Sequence, residues 1–114
     1  MERLRRRQDF IAAAKALQAA MPSLVVQARD RDDGRAPRVG FTATKKLGNA
    51  VIRNRIKRRL REAARLTLPG IARRGFDYVL IGRAGAAKRP FAELQTDLNS
   101  ALKRLHRTPH EAAG

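Results

Sequence analysis

The sequence has no cysteine and no tryptophan, and aromatic residues make up only 4% of it. Without cysteine there is no disulfide framework, no thiolate nucleophile and no cysteine zinc site. So few rings exclude a platform that reads single strands by stacking many bases. Acids are also sparse, ten against 26 lysines and arginines. Apart from Asp30, Asp32 and Asp33, in a turn-like segment, they are scattered and form no evident acid–base pair. No serine occupies a nucleophile elbow, and no glycine loop matches a phosphate cradle. His106 and His110 flank Pro109 and have no placed partner, so no metal site is assigned to them. An independent enzyme needs a converging acid, base or metal, and no catalytic side chain is expected here. Nor is there a run of about 18 apolar residues, which excludes a spanning helix. The apolar stretch 10–20 is broken by Lys15 and Gln18 and reads as part of a mature domain, not a signal peptide. The expected compartment is the cytoplasm, with no membrane partner.

What is present suits one small domain: 114 residues, 43% hydrophobic. The formal charge of +16 exceeds what solubility requires and favours a polyanionic partner. Residues 1–8 read as a basic arm carrying Arg3, Arg5, Arg6 and Arg7. Asp9 is positioned to cap a helix whose stripe is Phe10, Ala13, Ala14, Leu17 and Met21, with Pro22 ending it. Residues 24–29 read as a strand, and Asp33-Gly34 as a turn. The return strand, 38–44, puts Val39, Phe41 and Ala43 on one face and Gly40, Thr42 and Thr44 on the other. Residues 76–82 are apolar on both faces, as in a covered central strand. After Pro90, in a first-turn position, Phe91, Leu94, Leu98, Ala101, Leu102 and Leu105 hold one helical face to about Arg107. Residues 108–114 read as a disordered polar tail. The whole chain, 1–114, is expected to be a single α+β domain with a mixed or antiparallel sheet.

Residues 48–65 dominate this plan. On a helical wheel, Ile52, Ile56, Leu60, Ala63 and Leu66 fall within about a third of the circumference. Asn54, Lys57, Arg58, Arg61 and Arg65 lie opposite, and Arg53, Arg55 and Arg59 flank the stripe. Glu62 is the only acid, so internal pairing cannot neutralise the face. Guanidinium planes bind phosphates bidentately and stack on unpaired bases, while Lys45, Lys46 and Lys57 add point charges. A membrane-surface helix would want a boundary Trp or Phe. A DNA-recognition helix would want a companion helix across a short turn. RNA binding through backbone and shape is the favoured reading, either within a ribonucleoprotein enzyme or as a structural, ribosome-associated protein.

The segment Lys45-Lys46-Leu47-Gly48-Asn49-Ala50-Val51, followed by Arg53-Asn54-Arg55-Ile56-Lys57-Arg58-Arg59-Leu60-Arg61-Glu62, closely resembles the arginine–asparagine–arginine motif of the bacterial ribonuclease P protein component. Asp9-Phe10 resembles that family's first-helix start, Arg38-Val39-Gly40-Phe41 its strand before the motif, and Asp77-Tyr78-Val79-Leu80-Ile81 its later central strand. The chain departs from the family pattern at Ala14 and Gln27, where aromatics are common, and at residues 16–20.

The resemblance implies a ribosomal protein S5 domain 2-like fold with helices packed on a mixed sheet and a left-handed strand–helix–strand crossover. It implies a partner RNA subunit that carries catalysis, and precursor tRNA as the substrate that loses its 5′ leader by hydrolysis. Mg²⁺ would be held mainly by that RNA, with no organic cofactor and no obligate protein partner. It assigns Lys46, Asn49, Arg53, Asn54, Arg55, Lys57, Arg58, Arg59, Arg61 and Arg65 to the catalytic RNA. It assigns Phe10, Phe41, Thr42, Thr44 and Lys45 to the leader, and no residue to metal.

Overall fold

Phe76–Gly82, apolar on both faces, becomes the centre of the sheet because helices cover it from two sides. The structure, a computed structural model, describes residues 1–113, with side chains through Arg107. The expected tail at 108–114, including His110, lies outside the fully described residues. The elements in chain order are β1 (Glu2–Arg3), α1 (Arg7–Ala14), β2 (Leu17–Ala20), β3 (Leu24–Asp30), β4 (Arg38–Thr42), α2 (Ala50–Thr67), β5 (Phe76–Gly82) and α3 (Phe91–Ala113). The strand order is β1-β4-β5-β3-β2. β5 runs parallel to β4 and antiparallel to β3, so the sheet is mixed. The β4–α2–β5 unit is the expected strand–helix–strand crossover.

Strand alternation divides the interior in two. Leu24, Val26, Tyr78 and Leu80 face Ile56 and Leu60 of α2 and Leu94, Leu98 and Leu102 of α3. On the other face a smaller cluster joins Leu4, Ala13 and Val79 to the partly buried Phe10 and Ile81. α2 meets the main core through Ile56, Leu60, Ala63 and Ala64. Ile52 and Leu66, expected on the buried stripe, are instead 38% and 50% exposed; the buried face runs through Ile56, Leu60, Ala63, Ala64 and on to Leu68, which leaves Leu66 turned off it.

Two expectations near the start of the chain are corrected. The first helix ends at Ala14, and Leu17–Ala20 forms β2 on the edge of β3. High alanine propensity favours a continued helix, but the ladder satisfies the backbone and places Ala19 in the core. Asp9 is not the cap. Arg6 occupies that position without a side-chain bond, and Asp9 lies in the first turn. The basic arm is docked, with Glu2 and Arg3 pairing in parallel with β4 and Leu4 buried. At the other end, Pro90 stands just before α3, and its carbonyl accepts from the backbone N–H groups of Glu93 and Leu94.

Candidate nucleic-acid interface

Gly48 turns the chain into α2 at φ 139°, a conformation that side chains rarely adopt. Asn49 then caps the helix, its Oδ1 accepting from the Ile52 N–H at 3.0 Å. Lys45 and Lys46 are exposed on the short turn just before. Asn54, Arg55, Arg58, Arg61 and Arg65 are exposed, and Arg53 and Lys57 are half-buried. Glu62 pairs with Arg65 at 2.6 Å, and that hydrogen bond holds its carboxyl below the usual range. An exposed pair of this kind contributes little to stability, so most of the cationic face stays unneutralised. Arg53 Nε is buried without a hydrogen-bond partner among the described residues. Such a donor carries a desolvation cost that an acceptor from outside the chain would relieve.

Arg59 differs from its neighbours. Its guanidinium donates to the carbonyls of Ala86, at 2.9 Å, and Arg89. Arg89 in turn pairs with Asp97 at 2.9 Å, and Asp97 accepts from the Ser23 hydroxyl at 2.6 Å. Arg59 thus ties α2 to the loop before α3 and to the start of β3. Arg59, which the resemblance assigns to RNA, is also a scaffold contact within the fold.

The opposite face of the sheet carries a half-buried strip beside α1, the Phe10 cleft. Phe10 lies against the backbone of Gly40, where a β-carbon would sit 2.6 Å from the ring. α1 is only eight residues long and covers the Gly40–Val79 end of this face. The adjoining row across β4, β5 and β3, namely Thr42, Ile81 and Val25, is half-buried. Thr44 and Lys45 are exposed where β4 leaves the sheet. Ala14 is exposed, and Gln27 is buried next to Val79. The sequence reading missed Val25 and Ile81, although alternation from Gly40 and Thr42 across the ladder would have found them.

Phe41 is not in this cleft. Alternation turns it to the α2 face, where the Arg3 guanidinium carbon lies 5.0 Å from its ring centroid. The residues assigned to the leader are therefore split by the sheet.

Arginines on the Phe10 side are held by acids. Asp77 is fully buried and takes two bonds from Arg38, at 2.7 and 2.8 Å, and one from Arg31. Asp9 pairs with Arg29 and Arg38 at 3.5 Å each. Hydrogen bonding to carboxylates raises the pKa values of Arg31 and Arg38, and Arg31 with the Arg35 N–H holds Asp33 down at about 2. These carboxylates are committed to arginines, and among the described residues no group of three or more His, Cys, Asp or Glu is placed to hold a metal. No helix among these residues is long and apolar enough to cross a membrane.

His106 is also structural. It is 4% exposed, and its Nε2 lies 2.6 Å from the Tyr78 hydroxyl. That hydroxyl accepts from the Arg73 N–H, leaving its own proton for His106. Burial, followed by the charge of Arg73, lowers the imidazole to about 4, while burial raises Tyr78 to about 12.

The family model described as Ribonuclease P matches residues 1–106. The ribonuclease P protein component of Ruegeria pomeroyi is 59% identical over 106 residues, covering 90% of this chain and 85% of that one. Its counterpart in Caulobacter vibrioides is 56% identical over 102 residues, covering 89% and 68%. Among solved structures, the RNase P protein of Thermotoga maritima superposes with a TM-score of 0.76 at 30% identity, covering 91% of this chain and 97% of that one. The Staphylococcus aureus RNase P protein gives 0.75 at 30% identity, covering 90% and 94%. Family match, high-identity relatives and shared fold agree, and the chain belongs to the bacterial ribonuclease P protein family.

Proposed function

We propose that the chain binds a catalytic RNA through α2 and its entry loop, and precursor tRNA through the Phe10 cleft. It thereby assists endonucleolytic removal of the 5′ leader in the cytoplasm. The observation that carries this reading is the unneutralised face of α2, backed by a packed apolar side and entered through a capped turn. Arg53, Asn54, Arg55, Arg58 and Arg61 supply donors for phosphates and unpaired bases. Lys46, Asn49, Lys57 and Arg65 extend that surface, while Arg59 holds the helix in place.

The cleft takes the extended leader. Phe10 offers a ring edge, Val25 and Ile81 an apolar floor, Thr42 and Thr44 hydroxyls, and Lys45 a charge for the backbone. A floor with one ring and two aliphatic side chains favours shape over base identity. The carboxylates on this face are engaged by arginines, so the protein's donors do not fit an Mg²⁺ site, which prefers free oxygen ligands. The ion and the hydrolytic chemistry are assigned to the RNA, and the protein binds, orients and screens charge.

The test is reconstitution with the cognate RNA at low Mg²⁺, where added protein should enhance precursor cleavage. No enhancement would overturn the proposal. Arg53→Ala combined with Arg55→Ala should weaken RNA-subunit binding more than leader binding, and Phe10→Ala the reverse. Equal losses in both assays would refute a two-surface arrangement. Affinity should fall with salt, by roughly 0.7–0.9 in log K per phosphate contact per log unit of salt.

A further inference from the structure

A hollow of about 230 Å³ lies on the α2 side of the sheet, away from the Phe10 cleft. One wall is β1 and β4, through Arg3, Val39 and Phe41; the other is the C-terminal part of α2 and the turn after it, through Arg61, Ala64 and Leu68. Its floor is apolar and its rim is cationic. Phe41 is half-buried, so part of its ring is available. Arg3 lies over that ring, giving a flat cation–aromatic surface. Arg61 has no ion-pair partner among the described residues, and Arg65 is shared with Glu62 at the surface. The volume is below the range of about 300–1,000 Å³ typical of drug-sized ligand sites, which fits one planar ring system better than an extended ligand.

We propose that this hollow receives a single unpaired nucleotide of the RNA subunit, its base against Phe41 and Arg3 and its phosphate at Arg61. The inference rests on the reading of α2 as the RNA-subunit dock. Continuity with that face selects the source, since Arg61 and Arg65 belong to both. Two features of the chain gain a purpose from it. The docked N-terminal strand supplies Arg3, which a free arm could not position. Phe41, one of only four phenylalanines, faces away from the cleft to which Phe10 belongs, yet remains partly exposed among arginines. An unpaired base carries the flat apolar face and attached anion that such a surface complements.

The experiment is base-selective chemical probing of the reconstituted holoenzyme with wild-type protein, Phe41→Leu and Arg3→Gln. Wild type should protect a small set of unpaired bases in the RNA subunit. Phe41→Leu should expose one of them, leave the other protections in place, and weaken RNA-subunit affinity about five- to hundredfold, the span for losing one stacked base. Arg3→Gln, on the surface and clear of the core, should expose the same base with a smaller loss. Thermal melting of both variants identifies any loss due to unfolding, and Arg3→Gln keeps the test decisive if Phe41→Leu folds poorly. Unchanged protection in both folded variants would overturn the proposal, as would loss of protection only in the precursor leader. If wild-type protein neither binds nor protects the RNA, the subunit reading itself fails. If it does both and the variants match it, only the pocket assignment fails.

Discussion

Lowering the pH should destabilise the free protein through His106, and the expected size follows from its surroundings. The imidazole is buried against Phe76 and Tyr78 and accepts the tyrosine proton. Protonation would remove that acceptor and place a cation near Arg73, with its solvation lost. The folded-state value of about 4 lies roughly two and a half units below the ordinary 6.5. At about 1.4 kcal/mol per unit, the linked stabilisation comes to a little over ~3 kcal/mol. Because the folded pKa is the lower one, this contribution is complete above about pH 6.5 and is lost as pH falls towards 4. Within that window the unfolded chain binds one more proton, so stability should drop by up to about 1.4 kcal/mol per pH unit. The assay is urea unfolding followed by circular dichroism, from about pH 7 to about pH 4.5, at high salt to screen the net charge. Asp33, held at about 2, titrates below the window. His106→Gln keeps an acceptor for Tyr78 without a titrating ring and should flatten the slope. Wild-type pH dependence in that variant would refute the reasoning.

Gly40→Ala should displace the Phe10 ring, costing about 1–3 kcal/mol of stability by overpacking and weakening precursor binding in a filter or fluorescence assay while mature tRNA binding is unchanged. Asp77→Asn should cost on the order of 3 kcal/mol in chemical denaturation, since it leaves Arg31 and Arg38 without their shared buried anion. Asn49→Ala should remove about 1 kcal/mol of helix-start stability, read as faster amide exchange in the first turn of α2.

The strand–helix–strand unit was legible because its signals are local: an alternating strand, a capped amphipathic helix and an apolar central strand. β1 and β2 were not. A two-residue strand has no periodicity, and its pairing with Arg38 and Val39 is visible only in space. In β2, alanine-rich sequence with Leu17 and Met21 at helical spacing imitates a continuing stripe. The separation of Phe10 from Phe41 was available from alternation, and grouping the two by family likeness obscured it. Arg59 looked like its neighbours because the carbonyls it ties lie 27 and 30 residues further along.

The central position of β5 has a consequence for how the protein is made. Among the described residues it is the last strand in chain order, yet β3 and β4 join only through it. Until residues 76–82 leave the ribosome, α2 has no completed surface on which to lay its apolar side. Before that point the nascent chain carries its cationic segment among ribosomal and messenger RNA without a finished sheet beneath it. Its non-local contacts form late and together, which slows folding. A polyanion that binds the finished helix better than the open chain would pull that step forward by mass action, and the abundance of the partner RNA would then set how much newly made protein matures.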